Sequence, residues 1–582
     1  MKQFEDTIKS VGGFGIYQRL HLIILWVITG STAFFQMGNT FYSASADHYC
    51  KVYDNQTYVD QSSLKNCTIP YSLGGGDISW DKCQRYDVNV SQGISDEVCS
   101  PRSEETINCD QGWVYDKTWY DSTVVFEYNL VCDNGWMRQL SKSIVPLGNL
   151  VGVIIFGQLS DIFGRRPIFF ITLVLAIVTG VLTSFAQTYA MFVIGQFLLG
   201  ALPHSLFVTG NVLILEIVSL EYRTMCNAVL HVGFSVCYML FGVIALLCHG
   251  NWRLIQLIAG LSWILFLPSF FFITESPMWL IQKHKYGKAE KVLQTFAKFN
   301  KKTLLPGNIF QEDKEAHDKS PAVESEIKER QHTLVDIFRT PRLRFRALIM
   351  CFNWFACSFV YYGISLNTDQ IGNNPYTTFI LAGLVEIPGR LLAWGLLQVI
   401  GRRWSLCGFA FVGGLALILS VPPEIEEVSV AIAMVAKLCI AATFTIVYLY
   451  AAEIYPTVVR NAGMGMSSMS ARVGSIISPY VMLLDVIWAP MPFVVMGVTS
   501  MISGLLALLL PETKNKKLPE TLREGEFFGT SKAVSLEGES ELEDKITNDA
   551  HELKPSKLSE AEETSDKTEK STELGTVNEA YQ

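Results

Sequence analysis

Twelve stretches of this chain are apolar over the length a helix needs to cross a bilayer, about 20 residues. They lie near 20–42, 142–160, 168–186, 190–215, 226–248, 252–273, 346–366, 375–398, 404–421, 428–451, 462–484 and 490–510. That pattern predicts an all-α polytopic membrane protein. The strands of a membrane β-barrel would alternate in polarity over shorter segments. Composition agrees, since only 17% of residues are charged, where a soluble domain carries about 25%.

Residues 1–19 are polar, with no early apolar core and no small-residue cleavage site, so the first span is expected to act as the insertion signal and leave a cytosolic N-terminus. Residues 511–582 read as an acidic, disordered cytosolic tail. Residues 529–582 hold 14 Asp/Glu against 6 Lys, most of the chain's net charge of −9, and almost no aromatic residues.

The polar insertion 43–140 separates the first two spans. It holds six of the 13 cysteines, Cys50, Cys67, Cys83, Cys99, Cys109 and Cys132, and the three glycosylation sequons at Asn55, Asn66 and Asn89. Three sequons confined to one loop indicate an extracellular face. Six cysteines beside them fit a three-disulfide framework of open connectivity. Parity then puts the inter-bundle loop 274–345 in the cytosol, and its stretch 281–345 carries 14 Lys/Arg against 9 Asp/Glu. This agrees with the positive-inside rule.

Four features recur at one offset of 237 residues. Gly164-Arg165-Arg166 returns as Gly401-Arg402-Arg403, Glu216 as Glu453, Arg223 as Arg460, and Glu275 as Glu512. Four coincidences at one spacing imply a duplicated six-helix unit, 20–273 and 346–510. Two such halves related by an axis along the membrane normal are the plan of rocking secondary transporters, with substrate held near the midplane. The repeated charges lie at the cytoplasmic ends of spans. They are expected to pair when an inner gate is shut and to separate when it opens.

Against this background the motifs resemble those of a known family. "GQLSDIFGRRP" (157–167) is similar to the signature loop of the major facilitator superfamily, with Asp161, Arg165 and Arg166 at its charged positions. The second copy, "LLQVIGRRW", has Gln398 where the aspartate would stand. "VVFEYNLVCD" (124–133), "ESPMWL" (275–280), "AEIYPTVVRNAG" (452–463) and "LLPETK" (509–514), with the cysteine-bearing first loop, resemble the organic anion/cation/carnitine transporters, solute carrier family 22. The resemblance runs from about residue 10 to 525 and implies a plasma-membrane carrier of the major facilitator fold.

Ionisable residues inside spans are costly and functional by default. The Lys and Arg residues away from span ends are Arg390, Lys437 and Arg472, with Glu386 one turn before Arg390. Glu386 and Arg390 can satisfy one another, and Lys437 can snorkel toward the outer end. Arg472 has no acid within a turn. Its guanidinium suits a carboxylate or sulfonate, with chloride or a carboxylate from another helix as resting partner. The resemblance points the same way, because "ARVGSIISP" is similar to the eleventh helix of the anion branch, where Arg390 also matches a basic position. Carnitine-type members carry arginine at the Arg472 position too, so a zwitterion fits as well, with Glu386 facing its cationic end. Aromatic candidates for the site wall are Trp354, Tyr361, Tyr362, Phe234, Tyr238, Phe444 and Tyr448, with Gln36 as a further polar candidate.

Rival classes are an enzyme and a non-transporting sensor. No HExxH, GxSxG or GxxxxGK[ST] motif is present, and repeated gate charges serve no purpose in a static scaffold. The expectation is therefore a secondary-active or facilitative carrier of small amphiphilic organic anions, with anion/dicarboxylate exchange as its candidate mode and organic cations or zwitterions as the alternative. It needs no cofactor, metal or nucleic acid. Its partners are the organic ion, a counter-ion and the lipid bilayer, and a monomer suffices.

Overall fold

The computed structural model describes residues 2–52, 56–58, 63–74, 77–87, 105–302, 310, 334–421, 425–516 and 518–530. Cys99, Asn55, Asn89, the Cys67 side chain and residues 531–582 of the expected acidic tail lie outside the described residues. The first part of that tail, expected to be disordered, is ordered where described: Leu522–Phe527 is helical, and Arg346 donates to Gly525 O and Phe528 O.

The spans form helices α1 (Ile16–Tyr42), α2 (Gly135–Phe163), α3 (Arg165–Ser184), α4 (Tyr189–Ile217), α5 (Leu220–Leu247), α6 (Trp252–Phe271), α7 (Pro341–Ser365), α8 (Pro375–Val399), α9 (Arg402–Leu419), α10 (Glu426–Ile454), α11 (Arg460–Val481) and α12 (Met491–Ala507). Ten are long and apolar enough to cross a membrane; α12 is a shorter apolar helix, and α11 carries Gly, Ser and Arg472 in place of a continuous apolar run. Large apolar side chains point outward along them, such as Leu247, Leu265 and Phe271, as lipid contact requires. Helix α1 is interrupted after Gly30, where the hydroxyls of Thr29, Ser31 and Thr32 donate back to the carbonyls of Leu25, Ile28 and Thr29. Such back-bonding competes with the helical ladder and bends helices.

Packing reproduces the sequence repeat. In the first half α2 and α3 pack on α4, α3 on α6, and α1 on α4 and α5. In the second half α8 and α9 pack on α10, α9 on α12, and α7 on α10 and α11. Shifting each number by six turns one set into the other. The halves meet along α5 with α8 and along α2 with α11, which the same shift also exchanges.

Helix α2 starts seven residues before the expected boundary, because the polar side chains of Arg138 and Gln139 face protein and let the helix continue outward. Between α1 and α2 the insertion builds three two-stranded antiparallel ribbons, pairing His48–Cys50 with Trp113–Tyr115, Tyr71–Gly74 with Asp77–Trp80 and Gln84–Tyr86 with Thr106–Asn108. Disulfides Cys50–Cys109 and Cys83–Cys132 close it, and Asn66 is exposed.

The repeated glycines have a local cause. Gly164 (φ 115°, ψ 159°) and Gly401 (φ 99°, ψ −178°) cap α3 and α9 in a backbone region essentially reserved for glycine. This turn aims two N–H groups of each helix at a carboxylate. Glu275 accepts from Arg165 N (3.0 Å) and Arg166 N (3.2 Å), and Glu512 from Arg402 N (2.9 Å) and Arg403 N (3.0 Å). An anion there also meets the positive end of the helix dipole. Burial alone would raise the Glu512 carboxyl, but backbone N–H donors outweigh it and hold the group below the ordinary carboxylate range.

Gly164→Ala and Gly401→Ala should each destabilise the folded carrier by about 1–3 kcal/mol. A Cβ at 164 would strike the Glu275 carboxylate, and one at 401 would lie 2.7 Å from Glu512 Oε2. The check is the thermal unfolding midpoint of detergent-solubilised protein, compared with Gly157→Ala, where nothing lies within 4 Å of the added Cβ.

Candidate functional site

At mid-membrane one carboxylate gathers four donors. Glu386, fully buried on α8, accepts from Tyr361 OH (2.6 Å) and Lys437 Nζ (3.0 Å) at Oε1. At Oε2 it accepts from Ser235 Oγ (2.9 Å) and Arg390 Nη2 (3.1 Å). A carboxylate offers about four lone-pair positions, so its capacity is filled. The expected Glu386–Arg390 pair is present at helical i,i+4 spacing. Lys437 differs from expectation. It does not snorkel but is wholly buried, donating also to Ser365 Oγ and lying 3.6 Å from the centroid of the Tyr361 ring. A carboxylate and a π-face within reach stabilise the ammonium better than a stretch toward distant water.

Arg472 lies in a second network. Its Nη2 is 2.7 Å from His204 Nε2 on α4. His204 Nδ1 is 3.1 Å from the carboxamide of Gln36 on α1, which in turn lies 3.0 Å from the Tyr362 hydroxyl on α7. Two helices of each half are thereby joined. The carboxylate expected as resting partner is replaced by an imidazole. Among the described residues no carboxylate comes within ion-pair distance of Arg472, because Glu386 is already taken.

Rings connect the two networks. Phe444 lies between Tyr361 (centroids 5.4 Å) and Tyr448 (5.8 Å), and Trp354 packs on Tyr448 at 4.2 Å. Tyr238 sits 5.6 Å from Lys437 and packs edge-on against Phe379. Phe234 is buried in the apolar core that both halves share. The sequence singled out neither His204 nor His231, which completes the wall between Phe207 (5.7 Å) and Tyr448 (6.4 Å). Pro203, which removes a ladder hydrogen bond just before His204, was the available signal.

The helix-end charges pair differently from expectation. Arg165 bonds Asp161 (2.7 Å) and Glu216 (3.3 Å), and Arg402 bonds Glu453 (2.8 Å). Arg166 donates to Phe270 O, Arg223 lies 3.9 Å from Glu5, and Arg460 donates to Tyr455 O. The Arg403 guanidinium lies over Trp404. None of these contacts crosses between the halves, and for Arg165, Arg166, Arg402 and Arg403 the Gly-Arg-Arg turn delivers each arginine to its own bundle. At the opposite, disulfide-bearing end the halves are joined directly. Arg138 Nη2 meets Asp369 Oδ2 at 2.8 Å, and buried Lys142 donates to Leu366 O and Asn367 Oδ1, both at 2.7 Å. Tyr376 OH also donates to Trp119 O. Among the described residues, hydrogen bonds and ion pairs between halves occur at this end and at mid-membrane, not at the Gly-Arg-Arg end.

Glu386→Gln should be strongly destabilising, by about 3–5 kcal/mol, since it leaves two buried cations sharing no anion. Thermal unfolding of the purified variant beside Ser235→Ala, which removes only a neutral donor, is the check.

Comparison with known proteins gives consistent findings. The family described as "Sugar (and other) transporter" matches residues 115–524. The "Organic cation transporter protein" of Drosophila melanogaster is 37% identical over 535 residues, covering 91% of this chain and 96% of that one. The human "Organic cation/carnitine transporter 2" is 32% identical, covering 90% and 94%. "Solute carrier family 22 member 6" of Danio rerio is 31% identical, covering 91% and 96%. Among solved structures, the inward open conformation of the xylose transporter XylE from E. coli superposes with a TM-score of 0.54 at 14% identity, covering 85% of this chain and 97% of that one. That last likeness establishes the major facilitator fold.

Proposed function

The chain belongs to the solute carrier family 22 transporters of the major facilitator superfamily, and from that membership we propose that it carries small aromatic carboxylates or sulfonates by alternating access, in exchange for an intracellular carboxylate. The observation that carries this reading is a charge imbalance. Among the described residues, Arg390, Lys437 and Arg472 stand at mid-membrane against the single carboxylate of Glu386. An entering anion offsets that excess, and Arg472 is the cation without a carboxylate.

The relatives' names include cation and carnitine carriers. A cationic substrate, or the cationic end of a zwitterion, needs an acid with free acceptor positions. Those of Glu386 are filled by four donors. The rings of Phe444, Tyr448 and Tyr362 give an amphiphilic anion its apolar wall.

In this reading the disulfide-bearing end faces outside the plasma membrane, both termini are cytosolic, and the conformation is shut outward. Arg138–Asp369 and the Lys142 contacts form the outer gate. The Arg165, Arg402 and Glu453 pairs hold each half rigid while it rocks.

Arg472→Asp should lower uptake of an aromatic sulfonate by roughly 10- to 150-fold, the loss of one charged hydrogen-bonding partner. Undiminished sulfonate uptake at equal surface expression, or a competition panel in which cations alone compete, would sink the proposal. For the outer gate, Arg138→Asp and Asp369→Arg should each impair uptake, and the double charge swap should restore much of it; a double variant no better than either single one removes this pair from the gate.

A further inference from the structure

His204 is a buried titratable group that the transport scheme above does not use, and its contacts fix its protonation. A guanidinium can only donate, so the 2.7 Å contact with Arg472 Nη2 makes His204 Nε2 an acceptor. A neutral imidazole carries one proton, which therefore sits on Nδ1. Nδ1–H needs an acceptor 3.1 Å away on Gln36. The carboxamide serves when its oxygen faces His204 and its NH2 faces the Tyr362 hydroxyl, an assignment that hydrogen-bond logic decides. The chain Arg472–His204–Gln36–Tyr362 is then fully matched, and it ties α11 and α7 of one half to α4 and α1 of the other.

Protonation of Nε2 ends that arrangement. Two donors and two positive charges would face each other at bonding distance, so Arg472 and His204 must part or take an anion between them. The other groups around His204 give no relief. Gln36 is neutral, Tyr362 stands behind it, and Phe207 separates His204 from His231 on α5, with Tyr448 of α10 beyond. Arg472 is the charged group acting on it, and among the described residues no carboxylate pairs with it.

We propose that His204 is a proton-binding site and that the carrier moves one proton with each anion. A proton from water on the open side adds to the Nε2 lone pair. The anion takes the released Arg472 guanidinium on one side and the new Nε2–H on the other. On the far side the anion departs, the proton returns to water, and Nε2 again accepts from Arg472. The step moves one negative and one positive charge together. It also makes anion binding compete with the mid-membrane latch, so occupancy and release of the two halves are one event. This inference rests on the anion reading above.

The test uses the full-length chain expressed in cells and a labelled naphthalenesulfonate, which stays ionised throughout, so that pH acts on the protein and not on the probe. Initial uptake should rise on the order of 3- to 10-fold as external pH falls from about 7.5 to about 5.5, the range in which an imidazole titrates once the site is open to water and the anion has drawn Arg472 away from it. His204→Gln keeps an acceptor for Arg472 but cannot take a proton; its ratio of uptake at the two pH values should fall to about one, whatever its absolute rate. His231→Gln should keep the wild-type ratio. A wild-type ratio near one, or a His204→Gln variant that keeps the pH response, overturns proton coupling and leaves anion transport standing. Absence of sulfonate uptake at every pH overturns the anion reading, and this inference with it.

Discussion

A charge placed in a low-dielectric interior must be met by an opposite charge or by dense hydrogen bonding, and the centre of this molecule is organised by that requirement. Glu386 is the pivot. From α8 it reaches Ser235 on α5, Tyr361 on α7 and Lys437 on α10, besides Arg390 on its own helix. One carboxylate thus joins three helices of the second half to one of the first. It satisfies two cations and has no position left for a third. Arg472 is held by a neutral ring instead, and the proposed preference for anions rests on that shortfall.

Symmetry gives the same centre its mechanics. Equivalent helices make equivalent contacts in both halves, and the two inter-half seams are images of each other. Each half is fastened at its Gly-Arg-Arg turn by a carboxylate that caps a helix, Glu275 or Glu512, and by an acid that holds an arginine, Glu216 or Glu453. The bonds that cross the seam are fewer and lie at mid-membrane and at the disulfide-bearing end. A molecule stapled within its halves and bonded between them at one end is suited to rocking as two bodies.

Much of this was legible in the residues. Span number, the duplication and the disulfide-bearing loop follow from apolar length, a constant offset and cysteine clustering, all of which are local or periodic. The pair Glu386–Arg390 was readable because helical spacing alone brings i and i+4 together. Lys437 was misjudged because its partner lies on another helix, 51 positions away in the chain. Lys142 and Arg138 drew no notice in the sequence, since nothing local shows that Asn367 and Asp369 meet them. His204 was one scattered histidine until α4 and α11 were set side by side.

The sequence by itself determined a twelve-span duplicated carrier with an arginine inside its eleventh span, because insertion into lipid and helix periodicity act on contiguous residues. Only the tertiary structure decided which charges neutralise each other, which remain unpaired, and where the halves are fastened. Those outcomes depend on distances of about 3 Å between helices far apart in the chain, and Coulomb and hydrogen-bond energies change steeply over that range.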